Sequence, residues 1–242
     1  MITQFSRTQN IIGSLKQQKL FAAHVAVFGL GGVGSFTVES LARAGIGKIS
    51  VFDNDTISLT NINRQLYALH STIGKNKTDV AEQRILDINP SCKVYKYNMF
   101  FDQHNCSTID FSEFDFVVDC IDTVKSKITI IKCAKNSSVP VISSMGTGNK
   151  LDPSKFQIAD ISKTIVCPLA RAVRQELNKQ HISKVTVLFS TEEPVKIDLN
   201  NCGIAPEEIE QKGKAPAPGS ISFVPSVAGL MIGGFVIREL IK

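Results

Sequence analysis

A glycine-rich turn between an apolar strand and a helix constrains the fold of this 242-residue chain more than any other feature. The sequence VAVFGLGGVGS begins at Val25, and Gly29, Gly31 and Gly34 have the G-x-G-x-x-G spacing. This spacing allows a tight turn, a close approach of the backbone to a phosphate, and close packing of the helix on the strand. The helix also offers its N-terminal amides and the positive end of its dipole to an anion. The stretch therefore predicts a nucleotide-binding strand, turn and helix.

The segments that follow predict a parallel sheet. An apolar strand at 48–52 ends at Asp53, about twenty residues after the glycines, where a carboxylate can accept ribose hydroxyls. Further apolar strands at 114–121 and 139–143 alternate with amphipathic helices. We expect an α/β fold with a Rossmann-like doubly wound, mainly parallel sheet and a long insertion before the C-terminal segment. In such a sheet the ligand binds beyond the carboxyl ends of the strands, where Asp122 stands.

The length of 242 residues allows one large α/β domain or two small ones, and the hydrophobic content of 43% suits a well-packed core. We expect one domain with a nucleotide-binding core at 1–145, a substrate-facing insertion at 146–224, and a C-terminal helix at 225–242. The alternation of strands and helices is expected to end at residue 143, so that the insertion acts as a lid. Residues 1–23 are expected to form an amphipathic helix.

Composition narrows the setting of the protein. The six cysteines are spread singly without a C-x-x-C pair, so neither a disulfide framework nor a zinc ribbon is indicated, and they fit a reducing cytosol. No signal peptide pattern is visible, and we expect a cytoplasmic protein. The net charge of +5 permits a polyanionic partner without requiring one. Residues 221–237 carry no charge but are marginal for crossing a bilayer, so we favour a buried helix from about Val227; contact with a membrane stays open.

Polar and charged residues are expected to gather above the strand ends. They are Asp53, Asn61, Arg64, Gln65, Lys77 and Asp122. A dehydrogenase that transfers hydride does not need these cations. An enzyme that cleaves ATP between its α- and β-phosphates does, because charge develops on the leaving pyrophosphate. Arg64 can clamp a phosphate, Lys77 can act as a point charge on the same oxygens, and Asp122 can hold Mg²⁺. We therefore predict ATP and Mg²⁺ rather than NAD, although each residue alone is equally well explained as a solvated charge or a helix cap.

At these residues the chain resembles the adenylating domain of the MoeB, ThiF and ubiquitin-activating enzyme superfamily. The resemblance rests on residues 29–34, 53–55, 58–65, 74–77 and 119–122. Other segments resemble the tRNA threonylcarbamoyladenosine dehydratase branch of that superfamily. They are residues 5–8, 61–70, 163–169, 189–192 and 219–225. The resemblance implies ATP-dependent dehydration, by cyclisation, of threonylcarbamoyladenosine in tRNA through an acyl-adenylate intermediate.

The resemblance also implies the residues of the site. The catalytic residues would be Arg7, Arg64, Lys77 and Asp122, with Asp122 as the metal ligand. The nucleotide would be bound by Gly29, Gly31, Gly32, Gly34, Asp53, Asp55, Asn61, Arg64, Gln65 and Lys77. Arg7 matches an arginine that in this superfamily reaches into a neighbouring subunit's site, which implies a homodimer. One departure is Thr123, where the superfamily often has Asn.

Further expectations concern the tRNA substrate, Cys202 and the alternative functions of the chain. Lys163, Arg171 and Arg174 would contact tRNA phosphates, although the same helix face is equally typical of a solvated surface. Cys202 is expected to be inert rather than to form a thioester, since no histidine or basic cluster accompanies it. An activator of a ubiquitin-like sulfur carrier, with a sulfur-transfer protein as partner, remains an alternative that the absence of C-x-x-C pairs disfavours. A non-catalytic nucleotide-sensing module is another.

Overall fold

Seven strands form one sheet in the computed structural model, which describes residues 2–198 and 218–242. The strands are β1 (His24–Phe28), β2 (Lys48–Phe52), β3 (Lys93–Tyr97), β4 (Phe116–Asp119), β5 (Val141–Ser144), β6 (Phe156–Asp160) and β7 (Thr186–Ser190). The helices are α1 (Ser6–Ile12), α2 (Ser14–Ala22), α3 (Gly34–Ala44), α4 (Lys77–Ile88), α5 (Val124–Asn136), α6 (Pro168–Lys179) and α7 (Phe223–Leu240).

The strand order is β3-β2-β1-β4-β5-β7-β6, and every neighbouring pair is parallel except β6 with β7. The chain runs outward from β1 to β3 and then returns to place β4 on the other side of β1. Phe28 at the end of β1 lies level with Phe52 of β2 and with Asp119 of β4. A topological switch point therefore lies between β1 and β4, where an open α/β sheet leaves a crevice for a ligand. The expected Rossmann-like, mainly parallel fold is confirmed.

Two layers of helices cover the sheet. Alternate residues of β1 point to opposite faces, because side chains along a strand alternate. Val25 and Val27 pack with α2, α3, α4 and α7, whereas Ala26 and Phe28 pack with α5 and α6. The carboxyl edge of the sheet is thus held between two hydrophobic layers.

The sheet continues past residue 145, which corrects our expectation for residues 146–224. The expected helix near Pro168 and the expected strand at 185–189 are present as α6 and β7. However, β7 pairs with β5 and then with β6, so both strands extend the main sheet. The physical reason is burial, since Val187 and Leu188 of β7 are fully enclosed. The alternation of strands and helices therefore does not end at residue 143. That the insertion faces the substrate as a lid stays a prediction. The division of the chain into a core, an insertion and a C-terminal helix stays a prediction.

The C-terminal helix α7 packs closely on α3. A methyl group added at Gly229 would lie 2.3 Å from the carbonyl oxygen of Val33, and one at Gly233 would lie 1.7 Å from Ser40 Oγ. Thr37 Oγ1 donates a hydrogen bond of 3.1 Å to the Gly229 carbonyl oxygen. The glycines let the two backbones meet, as small residues do at close helix crossings. Among the described helices, α7 is the one long and apolar enough to cross a bilayer by length and composition.

The N-terminal segment forms two helices rather than the single one that we expected at 1–23. Gly13, with φ of +81°, separates α1 from α2 in a conformation that L-residues rarely adopt. Ile11 and Leu15 are exposed, whereas Phe5 and Leu20 are buried. The break turns part of the expected apolar face toward solvent.

Candidate active site

A cavity of about 390 Å³ opens at the switch point between β1 and β4. It is walled by the glycine turn, by the segments that follow β2, β3 and β4, and by the start of α7. Ten of the predicted site residues line it, namely Gly29, Gly31, Gly32, Asp53, Asp55, Asn61, Arg64, Gln65, Lys77 and Asp122. The fold thus brings predicted site residues from five separate segments of the sequence to one cavity.

The glycine turn has no room for side chains at its two ends. Gly29 has φ of +88°, and a methyl group there would lie 2.9 Å from the backbone of Cys120. A methyl group at Gly34 would lie 1.7 Å from the carbonyl oxygen of Gly29. Gly34 does not itself line the cavity; it lets α3 begin directly against the turn, so that the helix N-terminus faces the site.

Asp53, which follows β2, and Lys77, which begins α4, line the cavity together. Asp53 Oδ2 accepts a hydrogen bond of 2.6 Å from the amide of Leu30 in the glycine turn, and Oδ1 accepts one from the amide of Asp55. Lys77 Nζ lies 2.6 Å from Asp55 Oδ2 and 3.6 Å from Asp53 Oδ1, and the lysine side chain is only 6% exposed. Lys77 is therefore a fixed charge and not a freely solvated one, since two carboxylates hold its ammonium group at the cavity.

Arg64 belongs to a tight loop that a capping interaction keeps in shape. Asn61 Oδ1 accepts a hydrogen bond of 3.1 Å from the amide of Ser58. Arg64 Nη1 donates to the carbonyl oxygen of Thr60 at 2.8 Å and to Asn63 Oδ1 at 3.0 Å. Arg64 is half-buried and forms no ion pair among the described residues. The remaining nitrogens of its guanidinium group are available to an anion in the cavity.

Gln65 completes this wall beside the glycine turn. Gln65 is buried. A methyl group added at Gly31 would lie 3.9 Å from Gln65 Nε2, at ordinary contact distance, so the side chain of Gln65 lies beside the turn. The amide group of Gln65 thus offers hydrogen-bonding atoms next to the backbone of the turn.

Asp122 lies on the opposite wall, after β4. It is exposed, and the contact of its carboxylate is a long hydrogen bond of 3.4 Å from Thr123 Oγ1. Thr123, and not Asp122, is the cap residue of α5, which corrects the cap explanation of Asp122. Burial raises the pKa of the neighbouring Cys120 thiol to about 12. Cys120 is therefore a neutral thiol near pH 7 and not a nucleophile.

The cavity also has an apolar wall, which was not predicted from the sequence. It consists of Phe52, Met99, Phe100, Phe101 and Ile121. Phe101 is buried and packs edge to face on Phe28 with ring centroids 4.8 Å apart, whereas Phe100 is exposed. Such a surface suits the flat ring of a nucleobase. The signal was present in the sequence, because Met99 to Phe101 follow a strand at the carboxyl edge of the sheet.

The remaining predicted residues lie outside the cavity. Arg7 is exposed on α1, and Lys163 and Arg171 are exposed near and on α6. Arg174 is half-buried, and its Nη1 donates to the carbonyl oxygen and to Oγ1 of Thr164, at 2.7 and 2.6 Å. The structure thus gives Arg174 a local role in holding the turn before α6. Cys202 lies outside the described residues.

Fold and site together define a class: a Rossmann-like nucleotide-binding protein whose glycine turn faces an arginine, a lysine and a free carboxylate. The sequence profile of the ThiF family matches residues 5–242, and the chain therefore belongs to the ThiF family. It is 46% identical over 245 residues to the tRNA threonylcarbamoyladenosine dehydratase of Bacillus subtilis (strain 168), with 100% of this chain and 96% of that protein covered. It is 36% identical over 197 residues to the enzyme of that name from Escherichia coli (strain K12), with 78% and 74% covered.

A solved structure of the E. coli tRNA N6-threonylcarbamoyladenosine dehydratase in complex with ATP is similar over nearly the whole chain. The TM-score is 0.85 at 31% identity, with 98% of this chain and 93% of that chain covered. The expected superfamily and its dehydratase branch are confirmed as the relatives of this chain.

Proposed function

We propose that this chain catalyses the ATP-dependent dehydration of threonylcarbamoyladenosine in tRNA, closing a ring through an acyl-adenylate. The observation that carries the proposal is the placement of Arg64 and Lys77 around the glycine turn, in a chain that is similar over its whole length to enzymes named for this reaction. A cavity with two cations at a phosphate-binding turn suits the cleavage of ATP.

The chemistry explains why ATP is needed. The free carboxylate of the modified base resists attack, because its oxygen is a very poor leaving group. Attack of the carboxylate on the α-phosphate of ATP releases pyrophosphate and leaves AMP attached to the acyl carbon. A nitrogen or oxygen of the same modification then attacks that carbon and expels AMP, which is favoured because the step is intramolecular. The ring forms, and the oxygen that would leave as water departs with AMP.

The residues of the cavity divide these tasks. The backbone of the glycine turn and the N-terminus of α3 receive the phosphates. Arg64 and Lys77 stabilise the charge that develops as pyrophosphate leaves. Asp53, which braces the turn through Leu30, would accept the ribose hydroxyls, and the apolar wall would accept the adenine.

Mg²⁺ fits the donor set as a partner of ATP. Asp122 offers an exposed carboxylate at the cavity, and no cluster of three or more potential metal ligands occurs among the described residues. One carboxylate with phosphate oxygens and water is a typical environment for Mg²⁺. When bound, the ion would supply charge neutralisation on the phosphates, and Asp122 would hold it.

The tRNA and the second subunit are further parts of the proposal. Lys163 and Arg171 are exposed cations that can contact tRNA phosphates, with Arg174 supporting the turn between them. Arg7 is exposed and does not line the cavity of its own chain, which suits donation to a partner's site in a homodimer. An enzyme that acts on tRNA in this way would work in the cytoplasm.

Formation of AMP and pyrophosphate tests the proposal against its alternative. The protein is incubated with ATP, Mg²⁺ and either tRNA that bears the modification or the same tRNA without it. We expect AMP and pyrophosphate in equal amounts with the modified tRNA and neither product with the unmodified tRNA. Release that requires a ubiquitin-like carrier protein, with none on modified tRNA, would contradict the proposal and favour activation of a sulfur carrier.

A further inference from the structure

A fully buried ion pair adjoins the segment 120–123 of the cavity wall, and none of the steps above uses it. Lys127 in the first turn of α5 and Asp119 at the end of β4 have no exposed side-chain surface, and Lys127 Nζ lies 3.0 Å from Asp119 Oδ2. Neither side chain can touch a substrate. A buried ion pair is also weak evidence for stability, because removing two charges from water costs about as much as their attraction returns.

The hydrogen bonds of this pair run to two segments of the cavity wall. The ammonium group of Lys127 has three acceptors: Asp119 Oδ2, Ser143 Oγ at 3.3 Å and the Ser144 carbonyl oxygen at 2.7 Å. Asp119 Oδ2 accepts a hydrogen bond of 2.5 Å from Ser143 Oγ. Asp119 Oδ1 accepts one of 3.1 Å from the amide of Ile121. The pair therefore joins the ends of β4 and β5.

Both strand ends lead into the site. Residues 120–123 follow β4, line the cavity and carry Asp122, and Thr147 after β5 lines it as well. The 120–121 backbone also packs on the glycine turn, since a methyl group at Gly29 would lie 2.9 Å from the backbone of Cys120. A shift of this segment would move Asp122 relative to the bound phosphates.

We propose that Lys127, acting through Asp119, is a positioning residue that fixes segment 120–123 against the glycine turn for adenylation. This inference rests on the proposed function. A misplacement of about 1 Å at a reacting group can cost roughly 10²-fold in rate, whereas nucleotide binding tolerates it better. The pair should accordingly affect kcat much more than the affinity for ATP.

The test removes both charges together, because Lys127→Met alone would leave Asp119 buried and unpaired. The variant Asp119→Asn/Lys127→Met should keep a melting temperature near that of the wild type and bind ATP with similar affinity in calorimetry. Its kcat for AMP formation with modified tRNA should fall by about 10- to 100-fold. Lys127→Arg, which keeps a cation beside Asp119, should retain more of the wild-type kcat than the double variant.

A second group of paired charges, which is more exposed than Lys127 and Asp119 and also includes Arg43, serves as the control. Glu39 on α3 is bonded by Arg84 of α4 at 2.8 and 2.9 Å, away from the cavity lining. Glu39→Gln/Arg84→Met should leave kcat unchanged. Ser143→Ala supplies a milder probe that removes one hydroxyl and should lower kcat roughly five-fold, the scale of one hydrogen bond, at unchanged affinity for ATP.

The outcomes separate this inference from the proposed function. A stable double variant with wild-type kcat, or an unaltered kcat in Ser143→Ala, overturns the positioning role. If the double variant does not fold, Ser143→Ala decides, because it keeps both charges of the pair. A wild-type protein that forms no AMP in the same assay counts against the proposed function instead.

Discussion

Arg64 and Lys77 are both cations of the cavity wall, but they are held in different ways. Lys77 is buried between Asp53 and Asp55, so its removal would leave two carboxylates without their cation. Arg64 bonds two oxygens of its own polar loop through a single nitrogen. Arg64 is therefore the position at which the charge of the site can be changed with little effect on folding.

Arg64→Ala should lower kcat by about two to three orders of magnitude, the scale for one lost charge partner in a transition state. The melting temperature should stay close to that of the wild type. Arg43→Ala is the control, since Arg43 is a mostly exposed arginine that pairs with Glu39 outside the cavity lining. A melting temperature that drops together with activity would make Arg64 a structural residue.

Two arginines of α6 should separate tRNA binding from folding. Arg171 is exposed, so Arg171→Ala should weaken tRNA binding and reduce the slope of log affinity against log salt by about one unit. Arg174→Ala should instead lower the melting temperature, because it removes the hydrogen bonds to Thr164. Filter binding across a salt series and thermal melts measure the two effects. Unchanged tRNA affinity in Arg171→Ala would show that this face of α6 is an ordinary solvated surface and does not contact tRNA.

At the scale of elements, the crossing of α7 over α3 depends on glycine. Gly229→Ala should destabilise the protein by about 1–3 kcal/mol, because the new methyl group would overlap the Val33 backbone next to the glycine turn. Gly234→Ala, five residues further on, meets only the flexible end of Arg238 at 3.4 Å and should be neutral or stabilising by up to about 1 kcal/mol. Urea unfolding of both variants provides the measurement. Equal stability of the two would contradict the close crossing.

The sequence predicted elements best where local chemistry sets them. The glycine turn, β2 and the end of α3 at Gly45 occur where spacing and composition placed them. The break at Gly13 follows from a glycine with positive φ, a local signal that was not used, whereas the incorporation of β7 into the sheet depends on β5, which is distant in sequence.

The same limit applies to the site. The cations and acids of the cavity follow recognisable spacings, so Arg64, Lys77 and Asp122 could be predicted. The burial of Lys127 could not, since it results from β4, β5 and α5 closing around one ammonium group. The local bonds of Arg174 likewise follow from how the turn at Thr164 folds back on α6.

At the scale of the whole molecule, the proposed homodimer, in which Arg7 of each subunit enters the partner's site, can be tested by mixing variants. Arg7→Ala and Arg64→Ala proteins should each be nearly inactive alone. After subunit exchange at equal amounts, about half of the dimers are mixed, and in each of these one site carries both lesions and the other carries neither. Activity should then recover to about one quarter of the wild-type value. If subunits exchange and activity stays at the level of the separate variants, Arg7 acts within its own chain.

The fate of the carboxylate oxygens tests the acyl-adenylate most directly. The protein is given ATP and tRNA whose threonylcarbamoyladenosine carboxylate carries oxygen-18, and both the nucleoside and the nucleotide products are analysed by mass. We expect a nucleoside that has lost the elements of one water and AMP that carries one labelled oxygen. The reason is that one carboxylate oxygen attacks the α-phosphate and then leaves with AMP when the ring closes. Unlabelled AMP, or label in inorganic phosphate formed alongside ADP, would contradict adenylation of the carboxylate.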